Sequence, residues 1–241
     1  MSINKTLTVI ALIYAACASI ILAQLNLDDL KERLLAQAQN ISPNEYAFTR
    51  TIRTEQTSNG KTEHKVMVEE FDPTKPAEAR WTLESVDGAP PAADELKEFR
   101  KESAKRPVPG YSRLAGYFGT TATTSTDSRK RTVFHFAALP KDTVKVMGTD
   151  VSANATVEAS VAEANGASFV EQIHITLKPM RLKLLMKLEK YESTAHYRIG
   201  PEGKPLLMEQ TSDMQGSGMG QQGGAHTAVT YSDYKTVGKQ R

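Results

Sequence analysis

Two periods divide the chain. Leu27, Leu30, Leu34, Ala38 and Ile41 recur at three- and four-residue steps, which places them on one side of a helix. Asp28 and Asp29 stand in its first turn, where carboxylates suit the helix dipole, and Ser42-Pro43 closes it. From Glu45 the period changes to two. Residues 46–55 and 62–71 predict strands joined at Thr57-Ser58-Asn59-Gly60, since Asn-Gly supplies the positive φ angles of a tight hairpin. A third strand covers 80–86. Behind Pro90-Pro91 comes a second helix, with Asp94 and Glu95 in its first turn, Leu96 and Phe99 on its buried side and Pro107 past its end. Glu98/Lys101 and Glu102/Arg106 lie at helix-neighbour spacing and read as a solvated face. Residues 110–130, rich in Gly, Ser and Thr, show no period and are expected to be irregular.

The remainder reads as strand: 131–138, 153–164, 167–177, 180–191, 194–199, 204–215 and 225–237, with Asn165-Gly166 and Pro201-Glu202-Gly203 as hairpin turns. The stretch "PMRLKLLMKLEKY" (179–191) is the strongest case. Met180, Leu182, Leu184, Met186 and Leu188 take every second position, and four of the five residues at odd positions from Arg181 to Glu189 are charged. On a helix Arg181 and Lys183 would intrude among the leucines, so the stretch is a two-faced strand despite its helix-forming residues. Ile173, Ile175 and Leu177 alternate in the same way, and Phe134 and Phe136 share one face of their segment.

Consecutive strands with tight connections make an antiparallel meander. The fold class is therefore α+β: a curved, mainly antiparallel sheet of about ten strands with two or so helices on its apolar face. Helices of about 12 and 14 residues are about 18 and 21 Å long, whereas ten strands span about 45 Å. They cannot cover the whole face, so the sheet rolls into an incomplete barrel or leaves an apolar cavity.

Residues 1–23 add a compartment. Lys5 is followed by an apolar run from Leu7 to Leu22, shorter than the roughly 20 residues of a membrane span, and the pattern is that of a secretory signal peptide cleaved after Ala23. Residues 24–241 then form one domain. The single cysteine of the chain, Cys17, lies in the signal, so the mature chain has no disulfide, thiolate nucleophile or cysteine metal site. The 241 residues carry 30 basic and 28 acidic side chains, a net charge of +2 that gives no reason to expect nucleic acid as a partner.

Candidate chemistry is sparse. The five histidines (His64, His135, His174, His196, His226) are scattered singly, without metal-ligand spacing. Gly110-Tyr111-Ser112-Arg113-Leu114 starts like a nucleophile elbow, but Leu114 takes the place of its second glycine. Gly218-Met219-Gly220-Gln221-Gln222-Gly223 matches a dinucleotide fingerprint literally, yet a strand follows it instead of a helix, so it reads as a flexible hairpin loop. Met208, Met214 and Met219 have no His or Cys beside them and read as loop and core residues. Glu69-Glu70 are adjacent on a strand and point to opposite faces, which suits no paired acid/base role. No catalytic residue, metal or cofactor is expected.

The order of signal peptide, helix, hairpin, strand, helix and long meander resembles the LolA/LolB-like lipoprotein-carrier superfamily of Gram-negative periplasmic proteins. "EFDPTKPAEARWTLESVDGAPPAADELKEFRKE" (70–102) and "VTYSDYKTVG" (229–238) also look like an uncharacterised exported family of that architecture. The resemblance implies an incomplete antiparallel barrel lidded by helices, whose cavity in transport members shelters acyl chains. It implies a periplasmic, non-enzymatic binding protein or carrier for a lipid, an acyl chain or a lipoprotein. The expected cavity wall is Phe134, Phe136, Ile173, Ile175, Leu177, Met180, Leu182, Leu184, Met186 and Leu188. The alternative is an envelope sensing or protein-interaction module in which that face is filled by the protein's own side chains. Arg181, Lys183 and Lys187 on the outer face would then meet an anionic partner.

Overall fold

A computed structural model describes residues 26–104, 106–183, 186–218 and 221–237. The expected signal segment and cleavage site lie outside the described residues, as do Leu184 and the Lys183 side chain. Helix α1 covers 26–40 and is followed by strands β1 (Tyr46–Ser58), β2 (Lys61–Phe71) and β3 (Trp81–Val86), then helix α2 (Ala93–Ser103). A 3-10 turn (Tyr111–Leu114) runs directly into the short helix α3 (Ala115–Phe118). Strands β4 (Thr123–Thr126) and β5 (Thr132–Phe136) come next, then the small hairpin β6 (Lys145–Val146) and β7 (Thr149–Asp150). The chain ends in β8 (Ala155–Ala164), β9 (Ala167–Leu177), β10 (Met180–Lys183), β11 (Met186–Ile199), β12 (Pro205–Gly218) and β13 (Gln221–Thr236). No described helix is long and apolar enough to cross a membrane.

Eleven strands form one antiparallel sheet in the order β3-β2-β1-β13-β12-β11-β9-β8-β5-β4, with β10 paired to β11. The last strand returns beside the first, yet β3 and β4 remain as edges, so the curved sheet stays open as a half-barrel. This is the architecture that the sequence implied. The β1–β2 turn is the expected one, with Asn59 at φ 50° and Gly60 at φ 75°.

Three details depart from the sequence reading. Residues 110–130 are not irregular: they hold the 3-10 turn, α3 and β4, built from residues whose spacing is too short to show a period. The stretch 180–191 is not one strand. It folds into the β10–β11 hairpin, with Met180 opposite Leu188 and Arg181 opposite Lys187. Both β9 and β10 lie along the same side of β11, and the break between them falls at Lys178-Pro179, where proline has no N–H for the ladder. Third, strand takes up more of the glycine-rich hairpin than expected: β12 runs to Gly218 and β13 begins at Gln221, while Met219 and Gly220 lie outside the described residues. Gly216 and Gly218 lie in β12, and Gly223 and Gly224 in β13.

The glycines suit close approach. A Cβ on Gly216 would stand 2.6 Å from the Lys187 carbonyl oxygen, and one on Gly223 would stand 2.9 Å from that of Thr57. The helices pack on the apolar face. Leu34, Ala38 and Ile41 of the α1 region, Phe99 of α2, and Tyr117 and Phe118 of α3 all join one buried cluster with the sheet. Phe118 meets Phe134 and Phe136 edge-on at centroid distances of 5.5 and 5.1 Å.

Candidate apolar binding site

The concave face has three distinct regions. Near β1–β3 it is filled by aromatic rings. Phe48 packs against Phe71 at 5.1 Å, Trp81 at 5.8 Å and Tyr231 at 5.7 Å. Glu69 is fully buried among them. Its Oε2 accepts from Arg50 at 2.5 and 2.8 Å, and its Oε1 accepts from Arg106 at 2.8 Å. Each guanidinium also lies over a ring: Arg50 at 4.0 Å from Trp81 and Arg106 at 4.6 Å from Phe99. Arg106 therefore does not pair along α2 with Glu102, as its spacing suggested. The chain has left the helix by then, and Glu69 offers the buried carboxylate. Glu98 and Lys101 do pair, at 2.6 Å.

The second region lies under the 3-10 turn and α3. A cavity of about 130 Å³ is floored by Ile173, Ile175 and Leu207 and edged by Arg113, Tyr117, Tyr191 and Tyr197. Tyr111 pins this lid: its hydroxyl donates to Gln37 Oε1 of α1 at 2.7 Å and accepts the Val170 backbone N–H of β9 at 2.8 Å. Burial pushes the phenols of Tyr117, Tyr191, Tyr197 and Tyr231 up, and the nearby charge of Arg113 pulls each of them partly back.

The third region is where the tips of β1–β2, β10–β11 and β12–β13 meet. A pocket of about 390 Å³ opens there, lined by Leu182, Met186, Leu188, Met214, the strand glycines and Met147 from the β6–β7 turn. Met147 is 54% exposed, a large apolar side chain held out at the mouth. The size is within the roughly 300–1,000 Å³ of small-molecule sites.

The expected wall residues divide accordingly. Phe134, Phe136, Ile173, Leu177, Leu182 and Leu188 are buried in the protein's own cluster, with Ile175, Met180 and Met186 packed partly buried against it. Of the nine that are described, Leu182, Met186 and Leu188 also line the open pocket, while Ile173 and Ile175 floor the smaller cavity. Met147 and Met214, which complete the mouth, were not singled out as wall residues. Met214 stands at period two in β12, so its alternation was a usable signal, but Met147 sits in a turn that carries none. Arg181 and Lys187 are exposed and face each other across β10–β11, with Glu189 3.7 Å from Lys187.

The histidines pair locally: His135 with Glu158 at 3.2 Å, and His226 with Asp213 at 2.8 Å. Among the described residues no group of three His, Cys, Asp or Glu side chains is arranged to hold a metal ion.

No family model and no curated protein matches the chain. Solved structures similar to it include a DUF1329 family protein from Desulfovibrio piger, at 11% identity and a TM-score of 0.25, covering 89% of this chain and 93% of that one. A domain described as outer membrane lipoprotein-sorting, from Vibrio parahaemolyticus, is 11% identical with a TM-score of 0.23, covering 88% of this chain and 95% of its own. A LolA superfamily protein from Nitrosomonas europaea is 9% identical with a TM-score of 0.22, covering 86% and 93%. Identities and superpositions this low say nothing of ligand, partner or activity here.

Proposed function

We propose that the protein is a periplasmic, non-catalytic binding protein or carrier that takes the acyl chain of a lipid or lipoprotein into the pocket at the strand tips. The observation that carries this reading is the open 390 Å³ pocket walled by Leu182, Met186, Leu188 and Met214, with Met147 exposed at its mouth. Methionine adapts to irregular apolar guests. At about 0.8 kcal/mol per buried methylene, roughly ten methylenes gain about 8 kcal/mol before the costs of immobilisation. Elsewhere the face holds the rings packed along β1–β3, the smaller cavity under α3, and a pocket of about 400 Å³ between α2 and β2–β3 whose rim is charged (Lys65, Asp94, Glu95, Glu98, Glu102, Arg106). That narrows the ligand wall from a whole sheet face to one end of it.

The test uses the mature protein purified from an envelope fraction. Lipid mass spectrometry of denatured extracts should find bound lipid, and a long-chain fatty acid should displace an apolar fluorescent probe. Met147→Asp should weaken that displacement while leaving the melting temperature in place. Absence of both lipid and displacement would overturn the reading.

A further inference from the structure

Arg113 belongs to the stretch Gly110–Leu114, whose pattern matched no catalytic motif. It stands exposed on the lid edge of the 130 Å³ cavity, and among the described residues no carboxylate is within ion-pair range of it. Its neighbours are not random. The rings of Tyr117, Tyr191 and Tyr197 come to the same cavity from α3 and β11, together with Ser193 and Gln210. Their hydroxyls lie close enough to Arg113 to feel its charge. The floor beneath is apolar. Lys145, the other cation at the cavity, is already engaged by Asp142 at 2.9 Å.

A guanidinium without a carboxylate, sharing a cavity with Tyr117, Tyr197 and a Tyr191 whose hydroxyl is hydrogen-bonded to Ser193, over a floor of Ile173, Ile175 and Leu207, is a receptor for one compact oxyanion. The cavity's volume suits a carboxylate or a phosphate group and not a whole amphiphile. Its position matters too. Lys145 and Met147 belong to one small hairpin segment, and the first lines the small cavity while the second lines the large pocket. The two sites are therefore neighbours along the concave face.

We propose that Arg113, with the hydroxyls of Tyr117 and Tyr191, binds the anionic headgroup of a single-chain amphiphile whose tail occupies the pocket at the strand tips. The inference rests on the acyl-chain reading for the tail, while the oxyanion site stands on its own geometry.

The experiment measures binding of dodecanoate, of dodecanol and of inorganic phosphate to the mature protein and to its Arg113→Gln and Tyr191→Phe variants, by calorimetry or probe displacement. Dodecanoate should bind about tenfold more tightly than dodecanol, as a charge-assisted contact allows. Arg113→Gln should remove the preference without changing dodecanol affinity, and Tyr191→Phe should reduce it a few-fold. Millimolar phosphate should compete with dodecanoate in the parent and not in Arg113→Gln. Equal affinity for dodecanoate and dodecanol, unchanged by Arg113→Gln, overturns the headgroup site and leaves the acyl reading standing. Arg113-dependent phosphate binding with no affinity for either amphiphile sustains the oxyanion site and overturns the acyl reading.

Discussion

The two ends of the concave face are made from the same alternating pattern and come to opposite states. Along β1–β3 the inward positions are Phe48, Phe71 and Trp81, with Glu69 among them locked between Arg50 and Arg106. At the tips of β10–β13 the inward positions are Leu, Met and Gly, and about 390 Å³ is left unfilled. Alternation decides which face turns inward; side-chain volume and rigidity decide whether that face closes on itself. Rings held by an ion-paired clamp fill the face around Phe48, Phe71 and Trp81 and leave space only beside α2 behind a charged rim, whereas methionines and glycines leave an apolar opening that tolerates a guest.

The clamp should dominate stability. Glu69 is 0% exposed, and its partners Arg50 and Arg106 are 12% and 28% exposed at the side chain. Glu69→Gln keeps the shape and removes the charge. Breaking a buried pair costs roughly 3–5 kcal/mol, and the partial exposure of both arginines points to the low end, about 3 kcal/mol. Urea denaturation checks it. A loss below about 1 kcal/mol would mean that the aromatic packing alone holds this end.

At the other end the sheet itself is the sensitive element. Gly216→Ala sets a Cβ 2.6 Å from the Lys187 carbonyl oxygen, which is backbone and cannot swing away. Overpacking of this kind costs about 1–3 kcal/mol, and the strands that wall the pocket must part to relieve it. Thermal melts should show the loss, and apolar-probe binding should fall with it. Met147→Ser is the smaller counterpart. Surface changes stay within about 0.5 kcal/mol, so stability should hold while probe affinity drops several-fold. A stability loss larger than the Gly216→Ala loss would reverse the assignment of open and filled ends.

How much of this was legible beforehand follows from what periodicity can and cannot carry. Helices α1 and α2, the Asn59-Gly60 hairpin and the antiparallel meander were legible because each is a local pattern, whereas α3 is too short to show one. The β10–β11 fold-back was not. Met180 opposes Leu188 and Arg181 opposes Lys187, so Met180, Leu182, Met186 and Leu188 share the more buried face on both sides of the turn. A strand and a hairpin of that register therefore show the same alternation. Glu69 and Arg106 are 37 residues apart in sequence, beyond any local spacing rule, so Arg106 was assigned to a nearer carboxylate. Of the site, Leu182, Met186 and Leu188 were legible as apolar wall. Met147 and Arg113 were not, because both sit in short turns whose partners come from distant strands.

The least of the expected effects tests how firmly the mouth is held. Ser152 Oγ donates to Asp150 Oδ1 at 2.6 Å and accepts the Val144 N–H at 3.0 Å, closing the hairpin that carries Met147. The Ser152 hydroxyl, with its backbone N–H, holds the Asp150 carboxyl below its ordinary value of 3.8. A depressed carboxylate stabilises the fold fully above that ordinary value. The contribution is lost as pH falls from there through the lowered folded value. The protection of the Val144 and Ser152 amides, taken relative to the intrinsic exchange rate at each pH, should therefore fall as pH drops below about 4, since that is where the unfolded carboxyl takes its proton. Asp150→Ala should remove this step and give the fast-opening hairpin at neutral pH. Amides of β1 and β2 should not respond, because the clamp at that end shares no group with the hairpin. A pH response that spreads to β1 and β2 would show the two ends to be coupled, and the difference between them to be one of filling alone.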